Sequence, residues 1–306
     1  MSSPVLPPSS LESVVVSRRD VVKAEGPDTI KFLHALVSQD VVAMTNGETR
    51  WSLLLTPQGR LVSHFRLRRI SSDEFQLDVE AGHGLSLISA LKRYLIRTKC
   101  ALTITENVAV SWRSGESGSA SSEVVPDGIS ISAHPLLGGV DTFATNGGAL
   151  GLDTLDTLDT LDAEQRWDDM RIVAGLPRMG SELDESVIPN GTGLLTWSVS
   201  FGKGCYVGQE LVERIDSRAA TVPTRLCRIS LPDQTPEAAE TSDAADATDA
   251  NEAAGTGTGR APVRVTSSSR TASGWVGLGW VSRALAVGDS SNGVTVLGEV
   301  GLAVGS

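Results

Sequence analysis

The chain of 306 residues is poor in cysteine, and its three cysteines form no pattern. Cys100, Cys205 and Cys227 stand far apart, with no CxxC or comparable ligand spacing. That argues against a structural zinc site or a resident iron–sulfur cluster held by the chain's own thiols, so no metal ligands are assigned. An odd number of cysteines fits reduced thiols better than a disulfide framework. No run of eighteen apolar residues occurs, which leaves no conventional membrane-spanning helix. Residues 1–12 are rich in serine and proline and lack a basic start followed by an apolar core. They read as a disordered N-terminus rather than an export signal, and the expected location is cytoplasmic.

The chain also lacks a basic face of the kind that tracks nucleic-acid phosphates. Its net charge is −11, but the excess acidity is local. Asp233, Glu237, Glu240, Asp243, Asp246, Asp249 and Glu252 fall in one stretch without a basic residue, and setting these seven aside leaves −4 for the rest. Residues 233–259 hold almost no apolar side chain larger than alanine and have nothing with which to build a core. They are expected to form a disordered insertion between two strands. Basic runs at Arg66, Arg68 and Arg69 and at Lys92, Arg93, Arg97 and Lys99 read as solvated faces, the alternative being the lining of a pocket for an anion.

The length suits two or three packed units. Val14–Val22 is rich in β-branched residues and reads as a strand. After Gly26-Pro27-Asp28, the apolar set Ile30, Leu33, Leu36 and Val37 reads as a helix. Two strands around Pro57-Gln58-Gly59 form a hairpin, and Phe75, Leu77 and Val79 alternate as a third. Leu85, Ile88, Leu91 and Leu95 have helical spacing, and Cys100–Glu106 returns as a strand. The order β-α-β-β-β-α-β is an α+β layer. Gly115–Ser122 is a turn region, followed by strands near 128–132 and 139–144. A short Leu-Asp-Thr repeat from Leu152 to Asp162 is too brief for a solenoid. A helix capped by Asp162 follows, ended by Gly175 and Pro177. Glycine-rich strand candidates after residue 222 suggest a small antiparallel barrel. The expected units are 13–112, 113–221 and 222–306.

The stretch richest in chemistry is Lys203-Gly204-Cys205-Tyr206-Val207-Gly208-Gln209-Glu210. A helix begins at Gln209-Glu210, so Cys205 sits just ahead of a helix N-terminus with Lys203 nearby. Both favour thiolate and make Cys205 a candidate reactive cysteine. The alternative is a small buried hydrophobe.

This octapeptide resembles the Lys-Gly-Cys-Tyr/Phe-x-Gly-Gln-Glu signature of the YgfZ family, relatives of the glycine cleavage T-protein that bind folate and act in iron–sulfur cluster maintenance. Weaker matches are Gly26 with Phe32-Leu33 and Asp40-Val41, Thr56-Pro57-Gln58-Gly59-Arg60, Arg171 with Ala174-Gly175-Leu176-Pro177, and Ile188-Pro189. The resemblance extends over most of residues 13–305, and only the octapeptide is highly specific. It implies two related α+β subdomains around a central folate funnel and a C-terminal β-barrel. It implies Cys205 and Lys203 as the chemical pair, and a tetrahydrofolate site at Lys203, Tyr206, Gly208, Gln209 and Glu210. Trp197 would stack on a pterin or aminobenzoyl ring, or else serve as a core aromatic. Arg171 and Lys203 would meet the glutamate tail of folate, or else form surface ion pairs.

Departures from the T-protein branch concern its transfer chemistry. The resemblance places an aspartate pair after the hairpin glycine, where this chain has Gly59-Arg60-Leu61-Val62-Ser63-His64. It places a pterin-reading glutamate where this chain has Val173, which accepts no hydrogen bond. His64 itself reads as a solvent-facing strand histidine. The resemblance therefore implies a folate-binding factor that supports assembly or repair of iron–sulfur enzymes, cluster-dependent tRNA-modification enzymes among its clients. That is an accessory role rather than that of a classical enzyme. The alternatives are a folate-dependent aminomethyltransferase and a non-catalytic folate-binding scaffold.

Replacing 233–259 with a short Gly/Ser linker is expected to leave the melting temperature within about 5 °C of the parent, because loop closure changes by only about 0.6 kcal/mol per doubling of length. A larger drop in thermal unfolding would mean that the segment packs.

Overall fold

The computed structural model describes residues 15–114, 123–125, 128–146, 149–150, 160–217, 222–232 and 261–301. The N-terminal segment 1–12, the 115–122 turn, most of the Leu-Asp-Thr repeat and the acidic insertion lie outside the described residues. The elements in order are β1 (Val15–Glu25), α1 (Thr29–Leu36), β2 (Thr49–Leu55), β3 (Leu61–Arg69), β4 (Glu74–Glu80), α2 (Gly84–Lys92) and β5 (Ala101–Arg113). There follow β6 (Glu123–Val125), β7 (Gly128–Ser132), β8 (Val140–Asn146), β9 (Ala149–Leu150), α3 (Thr160–Ala174), α4 (Leu195–Ser198) and α5 (Gln209–Ser217). The last are β10 (Thr224–Leu231), β11 (Val263–Thr271), β12 (Gly274–Ser282), β13 (Ser290–Ser291) and β14 (Val294–Glu299). The α+β reading holds in its coarse form, with antiparallel sheets dominating. The helix α3 starts at Thr160, two residues ahead of the Asp162 cap that the sequence indicates.

One sheet runs in the order β2-β3-β4-β1-β5-β8-β7-β6, with β9 beside β8. Thirteen-residue β5 makes it continuous. Its length pairs with β1, and its end, Val110–Arg113, also pairs with β8. The C-terminal strands form a second antiparallel sheet, β11-β12-β10-β14-β13. Among the described residues no helix is long and apolar enough to cross a membrane.

The large sheet is buried on both faces where it matters. Along β3, apolar and polar residues alternate as in a half-exposed strand, yet every residue from Ser63 to Arg68 is buried. Phe65 and Leu67 join Phe32, Leu33 and Leu36 of α1 and Leu87, Ile88 and Leu91 of α2 in the main core. The opposite face carries His64, Arg66 and Arg68, since side chains alternate across a strand. Arg66 and Arg68, expected on a solvated face, are instead 1% and 8% exposed.

Arg66 escapes the cost of burial through its partners. It donates from Nε to Asp78 Oδ2 (3.0 Å) on β4, and from Nη1 to Asp141 Oδ2 (2.8 Å) on β8 and to the Ser132 carbonyl (2.8 Å) on β7. Its guanidinium also lies 5.4 Å from the ring centres of Trp51 and Phe143. β3 and β8 are far apart in strand order, so the sheet curls until they meet at this one cation.

The C-terminal sheet is tied down by a second buried pair. Arg171 Nη1 lies 3.0 Å from Glu182 Oε2, and Glu182 is fully buried. Glu182 also accepts from Thr266 Oγ1 and Ser267 Oγ on β11, while its carbonyl accepts from Trp280 Nε1 on β12.

Burial would raise the Asp78 carboxyl, but Arg66 and Arg19 outweigh it and hold Asp78 below its ordinary range. Burial wins at Asp141, whose pKa is raised although Arg66 opposes it. Asp78 therefore contributes stability that is present above the ordinary carboxyl pKa, near 4, and lost as pH falls through its lower folded value; Asp141 has the opposite sign. In urea unfolding at pH 7, Asp78→Asn is expected to cost about 3–5 kcal/mol, as for a broken buried pair, and Asp141→Asn clearly less. Equal losses would contradict this assignment.

Candidate functional site

The octapeptide forms a loop between α4 and α5, and its two glycines serve different ends. Gly208 has φ +78°, and a Cβ there would stand 2.3 Å from the Thr56 carbonyl oxygen and 3.1 Å from Gly59 Cα. Gly59, in the β2–β3 turn, has φ +79°, and its Cβ would strike Leu211 at 2.6 Å. The two turns pack backbone to backbone, which only glycines permit. Gln209 Oε1 accepts from the Tyr206 N–H (3.0 Å) and closes the turn before α5. Glu210 is exposed in the first turn of that helix.

Lys203 does not stand free beside the thiol. Its ammonium donates to the carbonyls of His34 and Val37 (2.6 Å each), capping the C-terminal end of α1, and lies 5.1 Å from the Tyr206 ring centre. Burial brings its pKa down to about 8. Tyr206 packs into the main core, its hydroxyl without a partner, and burial followed by Glu213 pushes it up to about 12. Cys205 is exposed, whereas Cys100 and Cys227 are buried, and burial pushes Cys227 up to about 11. Cys205 is therefore the accessible thiol among the three. Phe201, 45% exposed, precedes it, and the Ser200 N–H bonds the Ser38 carbonyl (3.0 Å), which ties the start of the loop to the segment after α1.

Upstream of this loop lies a box of rings over the charged face of the sheet. Trp51 stacks on His64 (centroids 4.8 Å), and His134 meets Trp51 (4.7 Å) and Trp197 (5.4 Å) edge-on. His64 is 1% exposed, its Nε2 3.2 Å from Ser198 Oγ. The solvent-facing reading of His64 is thus corrected, because the curl of the sheet covers its strand. Burial, then Arg19, brings His64 down to about 3, and burial places His134 well below the ordinary value. Both rings are neutral. A cavity of about 10 Å³ opens here, walled by Trp51, Trp167, Leu137, Leu176 and Pro177, with Arg19, Glu80, His64, His134 and Asp141 also on its surface.

The structure brings Trp197 to this box through its contact with His134. It leaves Cys205 on the outer loop. Arg171, expected near a folate tail, is buried and committed to Asp168 (2.6 Å), Glu182, Ser267 (3.0 Å) and the Leu176 carbonyl. The sequence reading missed Arg19, Trp51, Glu80, His134 and Asp141. For Arg19, Glu80 and Asp141 the signal was charge inside strands that otherwise favour β-branched and aromatic residues; Trp51 is an ordinary strand aromatic and His134 lies in the loop after β7, so neither carried one.

No protein-family model matches the chain. It is 26% identical over 257 residues to the tRNA-modifying protein YgfZ of Pectobacterium carotovorum, covering 78% of this chain and 77% of that one. It is 28% identical over 225 residues to an iron–sulfur cluster assembly factor IBA57 homologue, mitochondrial, of Mycosarcoma maydis, covering 65% and 52%. The crystal structure of glycine cleavage system aminomethyltransferase T from Bartonella henselae superposes with a TM-score of 0.66 at 16% identity, covering 92% of this chain and 84% of that one.

A histidine whose folded pKa is depressed contributes stability that is present above its unfolded value, near 6.5, and lost as pH falls toward its folded value. His64 and His134 should each add a slope of about 1.4 kcal/mol per pH unit below 6.5. His64→Gln lowers stability at pH 7, and its gap from the parent should narrow steadily to pH 5. A constant gap would show that His64 is charged in the fold.

Proposed function

We propose, from the chain's place in the YgfZ family of the T-protein-like superfamily, that it is a tetrahydrofolate-binding accessory factor supporting assembly or repair of iron–sulfur enzymes. The observation that carries this reading is the exposed Cys205 on a loop whose neighbours are fixed from both sides: Gly208 is locked against the β2–β3 turn, and Lys203 against the end of α1. In this reading Cys205 is a transient ligand for cluster iron or a redox-sensitive nucleophile. Lys203 holds the loop in place. Exposed Phe201, close to Cys205 in the same loop, is the apolar contact that an iron–sulfur client meets. Residues 13–112 and 113–221 are two related halves around a funnel, and the five-stranded sheet belongs to a small barrel. The protein works in the cytoplasm.

The ring box fits a pterin in kind. It offers aromatic walls at Trp51 and Trp167 and buried polar groups without partners. At about 10 Å³ it has room for one water, so a ring enters only by displacing Leu137, Leu176 or Pro177. Bound tetrahydrofolate would supply reduced ring nitrogens able to carry a one-carbon unit. Of the octapeptide side chains Tyr206, Gln209 and Glu210, only exposed Glu210 would be free to approach the ligand, since Tyr206 packs into the core and Gln209 closes the turn before α5, and Arg171 would steady the wall rather than touch it. Aminomethyl transfer finds no carboxylate at Ser63 or His64, and a neutral histidine held near a pKa of 3 is a weak base.

The test pairs complementation with binding. In cells lacking their own copy, the wild-type chain should restore an iron–sulfur enzyme's activity and Cys205→Ser should not, with melting temperatures equal within about 2 °C because the site is exposed. Calorimetry should register tetrahydrofolate, and a glycine-cleavage half-reaction should show no transfer. Full rescue by Cys205→Ser, or robust transfer, would overturn the reading.

A further inference from the structure

The second basic run, unlike Arg66 and Arg68, does reach solvent. Lys92, Arg93, Arg97 and Lys99 are all exposed, at the end of α2 and in the loop that leads into β5. Among the described residues, none of these four side chains has an ion-pair, hydrogen-bond or ring partner. No acidic residue lies between Glu80 and Glu106 to neutralise them. Across the joint with β1 and α1, Asp28 Oδ2 accepts the Lys99 N–H (2.7 Å) and Glu25 is paired with Lys23 (2.7 Å). Solvation alone accounts for a run of cations. It does not account for two other features of the same loop.

The first is Ile96, 78% exposed, more than any other large apolar side chain among the described residues. Its neighbours Tyr94 and Leu95 pack on the main core, so the loop turns two apolar residues in and holds the third out. The second is Arg97, whose φ of +57° is left-handed. The other non-glycine residues described with positive φ are Asn107 and Asn292, and asparagine adopts that region readily. Arginine does not, and such strain persists where the surrounding structure enforces it, above all at sites of contact and function. Here the Thr98 hydroxyl donates to the Ile96 carbonyl (3.3 Å), and Lys99 and Asp28 clasp each other through their backbones and the Asp28 carboxylate. The enforced turn leaves Ile96 outward, with Lys92 and Arg93 before it in the chain and Arg97 and Lys99 after it.

We infer that this loop docks an acidic segment of a partner protein, whose carboxylates meet the four cations and one of whose apolar side chains seats on Ile96. The centre of the patch is aliphatic and gives a base nothing to stack on, which favours a peptide over single-stranded nucleic acid. One isoleucine is too little apolar surface to hold the chain on a membrane. The helix α1 joins this loop to the thiol loop. Asp28 and Lys99 fasten its start, Lys203 fastens its end, and its eight residues span about 12 Å. A single interface of standard size, roughly 800 Å² per partner, is wide enough to cover both. The inference rests on the client reading only for which protein brings the acidic segment.

The probes are a glutamate-rich peptide carrying leucines, the same peptide with serine for leucine, a single-stranded RNA of equal charge, and vesicles of phosphatidylserine and phosphatidylcholine. Anisotropy reads the first three and sedimentation the last, all with the full chain. The wild type should bind the leucine peptide roughly fivefold more tightly than the serine peptide, as a partly buried leucine contributes, and more weakly as salt rises. Arg93→Glu with Lys99→Glu should abolish binding, and Ile96→Ser should remove the preference for leucine. Melting temperatures check that each variant folds, and Lys92→Gln with Arg97→Gln is the second pair should the first unfold. Tighter binding of the RNA or the vesicles, equal binding by the wild type and the folded charge variants, or no binding of the peptides overturns the inference. In cells lacking their own copy, the Arg93→Glu, Lys99→Glu chain should fail to restore the iron–sulfur enzyme. If it restores activity fully while Cys205→Ser does not, the docking inference fails and the functional reading stands. If Cys205→Ser restores activity while the charge variant does not, docking stands and the thiol reading fails.

Discussion

A single buried guanidinium sets the shape of the larger sheet. Left alone, Arg66 would cost several kcal/mol in a dry interior. Its carboxylate partners stand on strands that do not neighbour each other in the sheet, Asp78 on β4 and Asp141 on β8. Satisfying both requires the sheet to curl, and the curl creates the covered face on which Trp51, His64 and His134 meet. Arg19, also ion-paired to Asp78, extends the network toward β1. Ring box, neutral histidines and unpaired acceptors all follow from the demand that one cation be matched twice.

The octapeptide shows how a motif divides its work. Gly208, Gln209, Lys203 and Tyr206 all face inward, to the β2–β3 turn, the α5 start, the α1 end and the core. Of the chemically distinctive residues, Cys205 and Glu210 are left to solvent. Gly204 has room around it, the nearest atom to an added Cβ being His34 Nε2 at 3.9 Å. The motif is thus a mount for a thiol, and most of its residues are the mount.

Much of this was legible in the residues. Periodicity located α1, the hairpin, β4 and α2 because each has an apolar face over the main core. The octapeptide and its exposed cysteine were legible because glycines around a thiol are unusual. The charged face was not. Arg66 and Arg68 look like a basic surface run, and His64 like a strand's outer residue, because alternation tells which residues share a face and not whether that face is covered. The cover comes from β7, β8 and α3, far along the chain. Arg171 failed as a ligand contact for a similar reason, since its partners Glu182 and Ser267 have no sequence relation to it. Lys203 was placed in the right loop, but its attachment to α1 is a tertiary fact.

The Glu182 junction has a bearing on how the chain is made. Arg171 and Glu182 leave the ribosome close together and can pair at once, but the groups that complete their enclosure, Thr266, Ser267 and Trp280, come some eighty to a hundred residues later. Until then the pair stays wet and the underside of α3 lacks its sheet. The earlier two-thirds of the polypeptide therefore emerges with its main sheet able to close and its last interface open, a waiting state that ends only when β11 and β12 arrive. The acidic 233–259 stretch is synthesised during that interval, and its like charges repel other chains at the stage when the unfinished interface is most open to the wrong partner.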